Sequence, residues 1–204
     1  AFAKDVTAWC NMTGAKLIDV DNSQGMVKAT IEKSEIQPSD CVMNTVNPNS
    51  GKTFIVFSDD LDRALASFVL ANGAASTGKK VTMFFTFWGL NVIKKRHKPS
   101  VEKDIFGKMF GMMLPSSSKA LSLSKMNMGG IGSKMMRHIM QNKRIDSLES
   151  MIQQAIDNGV EMIACTMSMD VMGVKKEELL ENVGLGGVAT YLERAEGANM
   201  NLFI

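Results

Sequence analysis

The stretch Val160-Glu161-Met162-Ile163-Ala164-Cys165-Thr166-Met167-Ser168-Met169-Asp170-Val171-Met172-Gly173 opens as a short apolar run and ends that run on a cysteine. Such a run, bounded by a turn signal, reads as a strand buried on both faces of a parallel sheet. Ahead of it, Leu148, Met151, Ile152, Ala155 and Ile156 recur at helical spacing over residues 147–158, and Asn158-Gly159 stops that helix. A small, polar, Met-rich loop is expected after Cys165, followed by a charged helix over 176–181. In open parallel sheets, ligands and reactive groups gather beyond the carboxyl ends of the strands. A thiol placed there faces the first turn of the next helix, whose free N–H groups and dipole favour the thiolate. Cys165 is therefore the candidate nucleophile, expected to be partly accessible and more reactive than Cys10 or Cys41. Thr166 and Ser168 are candidates to donate hydrogen bonds to its thiolate or persulfide, and Asp170 to cap the following helix. The competing reading is a buried core cysteine, a common fate of the residue.

Working outward, strand and helix patterns alternate. Residues 53–58 form a continuous apolar strand, and Ser58-Asp59-Asp60 offers N-cap side chains to a helix over 61–75. Residues 81–87 are a second strand, 188–195 a further helix and 201–204 a closing strand. This rhythm predicts a three-layer α/β/α fold with a mainly parallel sheet and helices on both faces. Residues 1–34 stand apart as a small α+β fragment, with a helix over 3–12 and strands over 15–20 and 26–31. The Pro-, Asn- and Gly-bearing stretch 35–51 reads as a linker, which makes Cys41 an incidental thiol. The main domain is then 52–204.

Composition narrows the function classes. At 45% hydrophobic residues and a formal charge of +2, the chain can bury a sizeable core and has no charge argument for nucleic acid. Three widely spaced cysteines argue against a disulfide framework and for a reducing, cytoplasmic setting. His97 and His138 lack cysteine partners at ligand spacing, so no metal is expected. The longest apolar stretch, 81–88, falls well short of the roughly 20 residues of a spanning helix, and no cleavable signal opens the chain. Gly129-Gly130-Ile131-Gly132-Ser133-Lys134 lacks the phosphate-loop spacing and follows no strand. Gly184-Leu185-Gly186-Gly187 does open a helix, where Gly186 and Gly187 offer backbone N–H groups to an anion or simply allow close packing. Cys165-Thr166-Met167-Ser168 is C-x-x-S, without the resolving thiol that dithiol redox chemistry needs.

Residues 89–144 break the rhythm. Eight methionines lie between Met109 and Met140, with glycines among them, forming a Met-rich insertion at about 100–140. Methionine fills irregular apolar space and adapts to partners. The segment is expected to pack on the sheet or between subunits of a homo-oligomer, with part of 106–140 at the interface and part covering Cys165. Contact with a membrane surface is the lesser option.

Together, Asp59-Asp60-Leu61-Asp62-Arg63-Ala64 after its strand, Trp88-Gly89-Leu90 after the strand over 81–87, the run from Ala164 to Gly173, and Gly187-Val188-Ala189-Thr190-Tyr191-Leu192 resemble the DsrE/DsrF-like family. More narrowly they resemble the branch attached to CoA-disulfide reductases and labelled peroxiredoxin-like. The resemblance covers about 52–204 and implies a flavodoxin-like, commonly oligomeric α/β fold. It further implies sulfur carried as a cysteine persulfide or thiosulfonate, with Cys165 at the position of the sulfur-carrying cysteine. Residues 1–34 resemble the second half of a TusA-like (SirA-like) carrier, although the Cys-Pro-x-Pro motif of that family is absent and Cys10 does not match its carrier cysteine. The expected function is a sulfur relay or sulfurtransferase, needing no cofactor, whose partners are sulfur-donor and acceptor proteins or low-molecular-weight thiols. The rival is a non-catalytic oligomerisation module of a multidomain CoA-disulfide reductase-like protein.

Overall fold

The computed structural model describes residues 6, 10, 15–21, 28–32, 50–96, 109, 111 and 113–204. These fall in two compact units, Ala1–Asn47 and Pro48–Ile204. In the first unit, β1 (Lys16–Asp21) and β2 (Lys28–Glu32) form an antiparallel hairpin with an irregularity between Leu17 and Asp19. Val6 and Cys10 are buried helical residues, and the remainder of the helix expected over 3–12 lies outside the described residues, as does Cys41.

The second unit is built on five parallel strands: β3 (Gly51–Val56), β4 (Val81–Phe85), β5 (Glu161–Cys165), β6 (Val183–Gly186) and β7 (Ala198–Phe203). They are ordered β6-β5-β4-β3-β7. Its helices are α1 (Leu61–Ser76), α2 (Ile131–Asn142), α3 (Leu148–Asp157), α4 (Thr166–Met172) and α5 (Val188–Glu196). The architecture is the expected three-layer α/β/α, flavodoxin-like in its layering. β6 was not anticipated, because Val183-Gly184-Leu185-Gly186 has too few side chains to register as a strand.

Strand alternation sorts the core into two faces. On one, Phe54, Met83, Phe85, Met162 and Ala164 meet Leu61, Phe68 and Ala71 of α1 and Leu148, Ile152 and Ala155 of α3. On the other, Phe84, Ile163 and Cys165 meet Tyr191 of α5. Each large side chain fully buried in this way stabilises the fold by roughly 1.5–3 kcal/mol. Met169 and Met172 of α4 join the first face. Three successive crossovers therefore lie on one side, and among the described residues α5 is the helix of the other.

The start of α1 differs from expectation. Asp60 is its N-cap, yet its carboxylate accepts the Ser58 hydroxyl at 2.8 Å instead of capping. The free Leu61 N–H donates to the Ser122 carbonyl at 2.7 Å, and Asp62 accepts from the Ser124 N–H. The segment that looked irregular thus closes a helix end. It also contains α2, whose regularity is hidden in sequence by the glycines at its entry and by methionines on both sides.

α5 is fixed at two points. The Tyr191 ring packs on Phe84, tilted by 42° at 5.3 Å between centroids, and its hydroxyl lies 3.3 Å from Thr53 Oγ1, which donates to Asn201. Further along, Arg194 donates twice to Glu161, at 2.9 and 3.1 Å, while Thr82 donates to the same carboxylate at 2.9 Å. The Arg194 hydrogen bond holds the Glu161 carboxyl below the usual glutamate range.

Two predictions follow from this packing. A Cβ on Gly89 would stand 2.0 Å from the Val56 carbonyl oxygen, where the backbone after β4 crosses the end of β3. Gly89→Ala is expected to cost at least about 2 kcal/mol in urea unfolding, and an unchanged midpoint would refute the close approach. For Glu161, a lowered folded-state pKa means stability present at neutral pH and lost as pH falls through that value. The window lies below the usual glutamate pKa of about 4.3, and partial exposure of the pair makes the effect modest and salt-sensitive. The stability advantage of the wild type over Arg194→Met should shrink in that window. A constant difference across pH would show that the ion pair is not its source.

Candidate functional site

Cys165 is the last residue of β5, paired in register with Gly186 at the end of β6. Its backbone is extended and forms the N-cap of α4. Alternation along Met162-Ile163-Ala164-Cys165 sends the thiol to the face of Phe84, Ile163 and Tyr191. There it is 1% exposed, which corrects the expectation of a partly accessible thiol. Accessibility at a strand end depends on what the neighbouring strands and the far helix bring over it, and here Phe84 and Tyr191 close the space. Cys10 is buried as well.

The segment after Cys165 is a helix where a loop was expected. Thr166 to Met172 contains no glycine or proline, and Met169 and Met172, three residues apart, are buried on one side of it. The charged helix expected over 176–181 shrinks to one 3-10 turn, Lys176–Glu178. Asp170 is an exposed residue within α4 and does not cap a following helix.

The two hydroxyls expected to serve Cys165 are used elsewhere. Ser168 is fully buried, its Oγ 2.7 Å from Thr86 Oγ1, and so ties α4 to the end of β4. Thr166 donates to the Gly186 carbonyl at 3.5 Å, bridging the ends of β5 and β6. Gly186 supports the packing reading: a Cβ there would approach Ile163 Cγ2 to 2.9 Å and Thr190 to 3.1 Å. Gly187 is the N-cap of α5 with open space around its Cα hydrogens. The structure thus gathers Cys165, Thr166, Gly186 and Gly187 at one edge of the sheet, with Ser168 held behind them and Asp170 outside.

Tyr191 and Phe84 are the residues of this site that periodicity did not single out. A usable signal existed, since Tyr191 is the one tyrosine of the chain and stands four residues after Gly187 in an amphipathic helix. A second polar cluster lies at the ends of β3 and β4. Asn91 Nδ2 donates to Asp59 at 2.8 Å, and burial raises the Asp59 carboxyl above its ordinary range despite that bond. The other amide atom, Asn91 Oδ1, is buried with no hydrogen-bond partner. Nearby, Phe87 adopts φ 47° and packs its ring on Phe57, which in turn meets Phe203.

The described part of the Met-rich segment packs against the α1/α3 core. Leu121 is part of the α1/α3 core, with Leu114, Leu123 and Met136 packed against it, and Arg137 donates to the Ser118 carbonyl at 2.8 Å. Among the described residues none of this segment belongs to the Cys165 cluster, and the rest of the lid expected over Cys165 lies outside the described residues. The described part walls a half-open cavity of about 730 Å³ at the start of α3, lined by Leu61, Arg137, Met140, Ser147 and Glu149 among others. Among the described residues, no cluster of three or more potential metal ligands occurs, and no helix is long and apolar enough to cross a membrane.

The chain is similar to proteins from several bacteria. It is 43% identical over 152 residues to the uncharacterized protein YrkE of Bacillus subtilis, covering 74% of this chain and 95% of that one. It is 34% identical over 154 residues to the sulfur carrier protein DsrE2 of Allochromatium vinosum, again covering 74% of this chain and 95% of the relative. Among solved structures, the ychN protein of E. coli aligns with 76% of this chain and 99% of its own, at 9% identity and a TM-score of 0.45, too distant to carry an argument. The model of the DsrE/DsrF/DrsH-like family matches residues 49–203, nearly the whole of the sheet-bearing unit, and the chain belongs to that family.

Proposed function

We propose that the protein is a sulfur relay in which Cys165 carries sulfane sulfur. The observation that carries the reading is the position of Cys165, a lone thiol at the carboxyl end of a central parallel strand in a chain 34% identical to a protein named as a sulfur carrier. The Cys165 thiolate attacks the outer sulfur of a donor persulfide, R–S–SH. A new S–S bond forms, the donor S–S bond breaks, and the donor leaves as its thiolate. The same exchange in reverse passes the sulfur to an acceptor thiol, and no net oxidation occurs. Donors and acceptors are other proteins of a sulfur-transfer system or low-molecular-weight thiols. A TusA-like role for residues 1–34 and a place beside a CoA-disulfide reductase belong to the same proposal.

Transfer requires that the buried thiol be uncovered. The cover is α5, no residue of which is fully buried. A helix held by one aromatic contact and a few polar bonds opens more readily than the core beneath it. Thr166 and the Gly186–Gly187 backbone then border the exposed sulfur. A second reading, a non-catalytic interaction module, is favoured by the same burial of Cys165 together with the exposed Val188 and Leu192 on α5.

Intact-mass measurement separates the two. After incubation with a persulfide donor, the wild type should gain one sulfur, removable by a thiol reductant, and Cys165→Ser should gain none. Tyr191→Ala should speed loading about tenfold, the effect of ~1.4 kcal/mol weaker closure, with a much smaller change in global unfolding. Sulfur found only on Cys10 or Cys41, or none at all, would remove the relay and leave the interaction module.

A further inference from the structure

We infer that α2 and its flanking turns form a surface that docks on an anionic lipid bilayer, lying on the membrane and not spanning it. Four large apolar residues line the outer side of this element and are solvent-exposed: Met128 71%, Ile131 65%, Met135 55% and Ile139 40%. Ile131, Met135 and Ile139, four residues apart, form one stripe along α2, and Met128 precedes the helix across the left-handed Gly129 and Gly130. Met126 and Ile145, in the flanking turns, are also exposed. The inner side of α2 is already occupied, by buried Gly132, Ser133 and Met140 and by the Arg137–Glu149 ion pair. The stripe is therefore surplus to the fold.

Charge identifies what covers it. Residues 113–145 contain six Lys and Arg and no Asp or Glu, in a chain whose formal charge is only +2. At about 100° per residue, exposed Lys134 lies on one flank of the stripe and exposed Lys143, the C-cap, on the other. Apolar residues bordered on both flanks by cations suit a helix lying in the interface of an anionic bilayer, with methionines and isoleucines among the acyl chains and ammonium groups at the phosphates. The expectation that this segment packs against a second copy meets an objection here. A two-fold contact would set α2, whose own residues include Lys134 and Arg137 and no acid, against itself. The 12-residue length of α2 is too short to span a bilayer and suits attachment to one leaflet. Cys165 belongs to the opposite face of the sheet, so docking through α2 leaves α5 turned to solvent.

The test is vesicle flotation of the full chain with phosphatidylcholine alone and with phosphatidylcholine mixed with phosphatidylglycerol. Binding is expected only to the mixed vesicles and should weaken as salt is raised. Lys134→Glu with Lys143→Glu, and separately Ile131→Ser with Met135→Ser and Ile139→Ser, should each lower the partition coefficient about tenfold or more. All these positions are exposed, so far-ultraviolet circular dichroism and sulfur loading at Cys165 should stay at wild-type level. No binding to the mixed vesicles, or binding unchanged by both sets of substitutions, overturns the inference. So does a concentration-dependent dimer in sedimentation that the serine variant abolishes, which would assign the stripe to a second copy. Binding confined to acidic proteins would likewise overturn it.

Discussion

A parallel sheet must be covered on both faces, yet the order of its strands decides how many helices each face receives. Here β3, β4, β5 and β6 progress in one direction across the sheet, and right-handed crossovers send all their connections to the same side. α1, α3 and α4 therefore share one core, with Phe54, Phe68, Phe85 and Leu148 fully buried inside it. Among the described residues, only the return from β6 to β7 crosses the other face, and it brings α5. One nine-residue helix is a thin layer for five strands. The unequal cover places Cys165 in the weaker of the two cores, under a helix fastened by Tyr191 and Arg194.

That inequality makes burial of Cys165 compatible with chemistry. Global unfolding would have to break the α1/α3 core, whereas exposing the thiol only has to lift α5. If lifting costs about 3 kcal/mol, roughly one molecule in 150 presents its sulfur at any moment. When opening and closing are fast, the exchange rate is set by that fraction and by the approach of the partner. A persulfide formed at Cys165 would be shielded whenever α5 is closed, a useful property for sulfur that any free thiol can remove.

Much of this was legible in the residues. The apolar runs of β3, β4 and β5 and the stripes of α1 and α3 have clear periods, and the position of Cys165 at a strand end followed from them. What failed did so for particular reasons. β6 is half glycine, so its pairing with β5 is a backbone matter. α4 was hidden because small polar residues resemble a loop when the buried partners of Met169 and Met172 are unknown. The hydroxyls of Thr166 and Ser168 were close to Cys165 in sequence, but helix geometry and strand pairing gave them other partners, Gly186 and Thr86. Burial of the thiol depended on Phe84 and Tyr191, far away along the chain.

The methionines of the 109–140 segment divide between the core and the surface. Met136 and Met140 pack inward, and the adjoining Leu121 joins the core, so the fold's own demand is met by a few side chains. Met126, Met128 and Met135 remain outside with Ile131 and Ile139. Hydrophobic periodicity alone reports both sets as one amphipathic pattern, because it is blind to which face the sheet will take. Charge distinguishes them. Acid residues are absent from the whole segment although folding places no such requirement on its exposed positions, and Asp146 and Glu149 follow at once where α3 begins. A run of sequence without acid residues, around apolar side chains that the core does not need, is what the inferred bilayer contact draws on.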